Sequence, residues 1–504
     1  KFQLLRSVRP QLTAARDDLE QVLKKIITAA FFLFVGFCLN ACSIITIDTM
    51  RNEPLNLPRA GDDSRNKPKD GNDVFIGIAM SGGGSRASNF SAAVLLELEK
   101  LGILKHTDVI SSVSGSSLTA AYYGLYGDNK DPAHPWNDKS VRKAFLTDLQ
   151  SDWLVDWLKP WNIARYWLSN FTRSDIMIAK LNEELYDDND YKKLIARSPQ
   201  ILINATSYTN GQPFIFTEDY FASRLNSRLD TFPVANAVMA SSAFPGVFHP
   251  VTVKDYSIRD TQVFDAGTET QYYEHLIDGG PYDNLGVTSI LNILKKRKPD
   301  HCLLLVIDAY PYPVSANYIK QADTRKIADY VFDSGTVVSS TDIMLSKNRM
   351  MILEDTTNFE MQDIGFKAYN PNSEIKLTSS GSGNGGAEKP QVCAVWHLSF
   401  QRMYDQQFEW TYGRRNVNQQ QFLDRVRKVV NSIPTRYRLE ASKDGDAPET
   451  VQDYIFKAAN ILVKQDKECF LPGNECKNDK FTYQKICDQL INEWKLTDIK
   501  AQCR

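Results

Sequence analysis

From Val74 to Met80 the chain is almost wholly apolar (VFIGIAM). Successive residues of a strand point to opposite faces, so such a run predicts a strand covered on both sides, as in a parallel sheet. A glycine-rich turn follows, and then Phe90, Ala93, Val94, Leu98 and Leu101 recur at helical spacing, with Gly102 placed to stop the helix. A second apolar run, Val109 to Val113, breaks at Ser114-Gly115 into another helix with Leu118, Ala121, Tyr122 and Leu125 on one face. Further strands are expected at 200–204, 213–217 and 302–308, and His275-Leu276-Ile277 ends one at Asp278. Strands alternating with helices in this way predict an α/β domain with a mostly parallel central sheet.

Other stretches break the pattern. Thr49 to Asn72 is rich in Asn, Pro, Asp, Arg and Gly, with too little apolar surface to fold alone, and reads as a tether. Trp153 to Tyr191, with Trp153, Trp157, Trp161 and Trp167, reads as helical and amphipathic; a cap over an apolar pocket and ordinary core packing explain it equally well. Ser379 to Glu388 is of low complexity and reads as a surface loop. After about Met350 the pattern is mixed helix and loop, with Trp396, Phe400, Phe408 and Trp410 as core mass.

Composition narrows the classes. Of 504 residues 42% are hydrophobic and 24% charged, which excludes disorder throughout and allows a large core. Lys and Arg total 59 against 61 Asp and Glu, so the net charge of -2 gives no electrostatic reason to expect nucleic acid as partner.

Near the N-terminus, Lys24 and Lys25 precede an apolar run from Ile26 to Leu39, which ends in Leu39-Asn40-Ala41-Cys42. That run is short for a membrane span. A basic, apolar, small-residue order is that of a secretory signal, and the terminal cysteine resembles a bacterial lipoprotein signal. The resemblance implies a lipid anchor on Cys42, and Ser43 after it favours the outer membrane of the cell envelope. An uncleaved anchor and a buried helix are the alternatives. Residues 1–23, upstream of the signal, are expected to be a start-site artefact. Cys469, Cys476, Cys487 and Cys503 fit no zinc pattern; in an exported protein they are expected to form two disulfides among themselves, while Cys302 and Cys393 read as buried thiols. The expected organisation is 24–42 signal, 43–73 tether, 74–345 catalytic domain, and 346–504 a C-terminal extension with a Cys-rich tail.

Candidate chemistry gathers at three turns. Gly82-Gly83-Gly84 with Arg86 lies between a predicted strand and helix, where unpaired N–H groups at the helix start can hold an oxyanion. A phosphate loop would need the Gly-Lys-Ser/Thr ending, absent here. Ser112-Val113-Ser114-Gly115-Ser116 suits a nucleophile elbow in its small neighbours, although serines replace both usual glycines, and a plain Ser-rich loop would look similar. None of the six histidines lies in a catalytic motif, so the candidate base is a carboxylate, Asp278, followed by Gly279-Gly280.

In this order, Ser81-Gly82-Gly83-Gly84-Ser85-Arg86-Ala87, Val113-Ser114-Gly115-Ser116, Ala240-Ser241-Ser242-Ala243-Phe244-Pro245 and Asp278-Gly279-Gly280 resemble the motifs of the patatin-like phospholipases, the Ser-Gly-Ser turn being similar to the cytosolic phospholipase A branch. The resemblance implies a three-layer α/β/α domain that hydrolyses lipid esters through an acyl-enzyme, with Ser114 as nucleophile and Asp278 as base. The oxyanion hole would come from Gly82, Gly83, Gly84, Arg86 and Gly115. Asp265-Ala266-Gly267 is a second candidate acid, ranked lower because no glycine directly follows it. The reading requires no metal or organic cofactor. A small-acyl carboxylesterase or thioesterase, and a catalytically silent lipid-binding lipoprotein, are the alternatives.

Overall fold

The computed structural model describes residues 50–55, 73–257, 272–311, 392–404, 417–433, 435–439 and 449–463, with shorter pieces at 24–28, 345–369 and 487–499. Cys42, most of the expected signal, the acid candidate Asp265, and Phe408 and Trp410 lie outside the described residues, as do Cys469, Cys476 and Cys503.

The apolar runs become the centre of a mixed sheet. Its strands are β2 (Val74–Met80), β3 (Val109–Val113), β4 (Gln200–Ser207), β5 (Pro213–Ile215), β7 (Val251–Asp255), β8 (Tyr272–Asp278), β9 (His301–Asp308), β10 (Lys367–Tyr369) and β11 (Val392–Ser399). Along the sheet the order is β10-β11-β9-β2-β3-β4-β8-β7, with β5 also on β4. From β10 to β4 all neighbours run parallel, whereas β5 and β8 are antiparallel to β4 and β7 to β8. The expectation of a mostly parallel sheet therefore holds for its centre and one flank, and the strand that ends at Asp278 runs the other way.

Helices cover both faces. Helix α1 (Gly84–Leu101) is buried along almost its whole length and ends at Gly102, whose φ of 80° is the left-handed stop that glycine tolerates. It packs against α2 (Gly115–Tyr126) and against α5 (Val451–Val463) from the C-terminal region. On a second face, Ile290, Leu291 and Leu294 of α3 (Val287–Arg297) join Phe75 and Ala79 of β2 and Leu304 and Val306 of β9 in one apolar cluster. A fully buried Arg297 closes the far end of this layer, pairing with Asp73 at 2.5 Å and Asp108 at 2.8 Å, beside the starts of β2 and β3.

The C-terminal part contributes to the same sheet. Strand β11 pairs in parallel with β9 over its whole length, from Val392↔His301 to Ser399↔Asp308, and Trp396 and Phe400 are buried. Described residues after 345 thus extend the sheet and its helical cover. Part of the expected tether is also structured: Glu53–Pro54 forms β1, antiparallel to β6 (Ser227–Arg228), and buried Asn52 donates to Ser227 Oγ and to the Lys254 carbonyl. Cys302 and Cys487 are both buried and disulfide-bonded, so Cys302 is not a free thiol.

Residues 155–173 form a unit apart from the sheet. Its helix, Pro160–Leu168, starts on Pro160 and leaves Trp161 60% and Trp167 48% exposed, so these two tryptophans are not core residues. Trp153, in contrast, is buried in the sheet-bearing unit.

Candidate active site

The sheet register brings the three turns together. β2 and β3 end side by side, with Met80 opposite Ser112, and Val113 is opposite Asn204 of β4. One residue further along β4, Ala205 pairs with Asp278. The antiparallel β8 therefore delivers the carboxylate to the level at which β3 turns into Ser114.

Ser114 sits between β3 and α2 with φ 53° and ψ -125°, outside the conformations an L-residue favours. A serine held this way costs about 1–3 kcal/mol, and the surroundings enforce it. Its N–H donates to Ser241 Oγ at 2.9 Å, Ser241 donates on to the Asn204 carbonyl at 2.6 Å, and Ser241 and Ser117 hydroxyls meet at 2.9 Å. Ser116 replaces the second glycine of the usual elbow because its hydroxyl is used, donating to the Ser81 carbonyl at 2.5 Å. The Ala240–Pro245 segment thus braces the turn; it also accepts from the Asp278 and Gly279 N–H groups through the Ala243 and Ser241 carbonyls.

The Ser114 hydroxyl is hydrogen-bonded to Asp278, which is 3% exposed. Burial pushes the carboxyl up to about 6, against the opposing pull of its hydrogen bonds from Ser114 and from the Gly280 N–H, the latter at 2.8 Å. A carboxylate of this strength can take a proton from a hydroxyl and return it near neutral pH. Histidines are placed elsewhere: His397 meets Asp308 at 3.0 Å and His301 stacks on Trp494. Among the described residues no group of three or more His, Cys, Asp or Glu side chains is placed to hold a metal.

The glycine loop divides. Gly83 caps α1 with φ 140° and Gly84 begins it with φ 59°, while Gly115 begins α2. First-turn N–H groups have no partner within a helix, so these three can receive an oxyanion. The two turns touch: a Cβ on Gly115 would strike the Gly84 carbonyl and come within 2.6 Å of its nitrogen. Gly82 and Arg86 do not fit the donor role expected of them. The Gly82 N–H is spent on the Asn284 carbonyl at 3.0 Å. Arg86, 3% exposed, donates to the carbonyls of Ala309 and Ile433 and to Thr435 Oγ1, holding the loop against distant chain segments. Replacing Arg86 by Met strands those acceptors, and a loss of roughly 3 kcal/mol is expected in urea unfolding; an unchanged midpoint would mean the clamp is dispensable.

One neighbour has no counterpart among the sequence motifs. Tyr437 is half-buried, but its hydroxyl lies among buried groups, donating to the Ser242 carbonyl at 2.9 Å with the Ser114 hydroxyl beside it. Its ring meets Phe248, 5.9 Å between centroids, and Phe248 meets Trp153 at 5.3 Å, so an aromatic wall starts beside Ser114 and Asp278. Nothing in the local sequence Thr435-Arg436-Tyr437-Arg438 announces this role.

No curated protein sequence matches this chain. Among solved structures, human GIVD cytosolic phospholipase A2 is similar at 17% identity over 51% of this chain and 45% of that one, with a TM-score of 0.32. The same enzyme in complex with methyl gamma-linolenyl fluorophosphonate is similar at 14% identity over 81% and 58%, TM-score 0.39. VipD from Legionella pneumophila is similar at 12% over 92% and 87%, TM-score 0.20. The chain thus spans under half the length of the first of these structures. Residues 78–291, which hold the glycine loop, Ser114 and Asp278, match the model of the patatin-like phospholipases. This chain therefore carries a patatin-like phospholipase domain over residues 78–291.

Proposed function

We propose that the protein is a lipid acyl hydrolase that cleaves the carboxylic esters of phospholipids or lysophospholipids. The observation that carries this reading is the Ser114 hydroxyl, held on a strained turn and hydrogen-bonded to a buried carboxyl whose pKa is pushed up to about 6. Asp278 takes the Ser114 proton as Oγ attacks the ester carbonyl. The N–H groups of Gly83, Gly84 and Gly115 receive the oxyanion. When the tetrahedral adduct collapses, the ester C–O bond breaks, and the alcohol leaves with the proton held by Asp278. Water then repeats the sequence on the acyl-enzyme, releasing the fatty acid and restoring the Ser114 hydroxyl. The family of the domain and the aromatic wall of Tyr437, Phe248 and Trp153 favour a long apolar acyl group.

The test is fatty-acid release from mixed micelles of phosphatidylcholine and lysophosphatidylcholine by the full chain and by Ser114→Ala. Release by the wild type alone is expected, with kcat/KM falling below an acid limb at about pH 6, where the base becomes protonated. If the wild type releases nothing and a fluorophosphonate leaves Ser114 unlabelled, the protein is a lipid-binding relative without catalysis.

A further inference from the structure

The segment Ile433–Arg438 lies far outside the family match and yet reaches the reacting atoms. It is fastened at several points. The Arg436 carbonyl accepts from the Ser85 N–H at 2.6 Å, and the Ile433 carbonyl and Thr435 hydroxyl accept from Arg86. The Tyr437 carbonyl accepts from the Gln150 N–H at 3.2 Å, and Arg438 pairs with Asp148 at 3.2 Å. Glycine at 84 permits the approach, because a Cβ there would strike the Arg436 carbonyl. All these contacts converge on one placement, that of the Tyr437 hydroxyl between the Ser242 carbonyl and the Ser114 hydroxyl.

We propose that Tyr437 is a third catalytic group, whose hydroxyl donates a hydrogen bond to Ser114 Oγ whenever negative charge develops on it. The inference rests on the reading of Ser114 as nucleophile. At rest the phenol proton points to the Ser242 carbonyl, and the Ser114 proton points to Asp278. During attack the Ser114 proton passes to Asp278 and the Oγ–acyl bond forms. A turn about the Tyr437 C–O bond then aims the phenol proton at Oγ. The same donation helps Oγ leave as the acyl-enzyme breaks down. Tyr437 gives up no proton at any step: burial first, and then the nearby Asp278 charge, push its phenol well above the ordinary tyrosine value. It therefore stays a donor throughout and cannot replace Asp278 as base.

Tyr437→Phe removes the hydroxyl and keeps the ring against Phe248. With 4-nitrophenyl butyrate as substrate, kcat is expected to fall about 10- to 100-fold with KM unchanged, and fluorophosphonate inactivation of Ser114 to slow by the same factor. Tyr437→Phe with wild-type or higher kcat overturns the proposal and makes the segment a structural strap or a brake. A second measurement covers the case in which the variant folds poorly. 3,5-Difluorotyrosine at 437, with its more acidic phenol, should bring an alkaline limb into the kcat profile that the wild type lacks; a profile without that limb overturns the proposal as well. Ser114→Ala separates the levels: if it keeps hydrolysing, the nucleophile reading falls, whereas a dead Ser114→Ala beside a fully active Tyr437→Phe removes only the role of Tyr437.

Discussion

Asp278→Asn is expected to lower kcat/KM about 10⁴-fold while making the protein more stable at pH 8. The loss follows from the base: an amide cannot accept the Ser114 proton, although it can keep accepting from the Gly280 N–H. The stability gain follows from linkage. The carboxyl titrates at about 6 in the folded chain against an ordinary value of 3.8, so folding favours its protonated form. Below pH 3.8 folded and unfolded chains are both protonated, and this contribution is fully present. It is lost as pH rises from 3.8 through 6, and above that the fold holds an ionised, buried carboxylate. The difference, 6 - 3.8, is about 2 units, or roughly 3 kcal/mol at 1.36 kcal/mol per unit, an upper bound on what the amide can recover. Urea unfolding at pH 8 and at pH 4 checks it: the gain should be present at the higher pH and nearly gone at the lower. Equal stability of both proteins at pH 8 would mean that Asp278 carries its charge without strain and needs another explanation for its basicity.

Gly115→Ala is expected to cost about 3 kcal/mol in stability and at least about 10²-fold in kcat. The new Cβ would meet the carbonyl oxygen, the nitrogen at 2.6 Å and the carbonyl carbon at 2.7 Å of Gly84, all main-chain atoms that cannot swing aside. Relief requires the two turns to part, and they are the turns that aim the oxyanion donors. Gly211→Ala is the matched control. Its φ of 70° strains an alanine too, but nothing lies within 4 Å of the added carbon, so a loss of about 1 kcal/mol with full activity is expected. Activity measurements and urea unfolding on the pair separate backbone strain from the collision. Equal activity of the two variants would move the oxyanion hole away from the junction of Gly84 and Gly115.

Sequence alone made the chemistry legible where it is local. The glycine turn, Ser114 and Asp278 each stand at the end of a short apolar run, so their places at strand ends could be read from neighbouring residues. Strand direction could not be read. The run before Asp278 carries the same pattern whether the strand is parallel or antiparallel, and only pairing with Ala205 and Thr206 of β4 shows that it is the latter. The docking of the C-terminal strand is illegible for a related reason. Val392-Cys393-Ala394-Val395-Trp396 is a continuous apolar run like those of the sheet centre, and its partner β9 lies some ninety residues earlier, so composition gave no hint of where it docks. Arg86 was legible as chemistry but not as position, since its acceptors at Ile433 and Thr435 are brought to it by tertiary structure. Tyr437 had no signal at all. A single tyrosine between two arginines carries no periodicity or motif, and its meaning comes wholly from the clamp that seats it.

The long reach between Ser114 and the segment at 433–438 also orders events during synthesis. The residues that resemble a complete hydrolase, from the glycine loop to Asp278, leave the ribosome while more than two hundred residues are still to come. At that stage β2 is an open sheet edge because β9 has yet to emerge, α1 lacks the cover of α5, and Arg86 has no carbonyl from Ile433 to hold. A nascent chain therefore carries Ser114 without the surroundings that fix it. On the function proposed above, hydrolysis is thereby deferred until the segment at 433–438 has been made and docked.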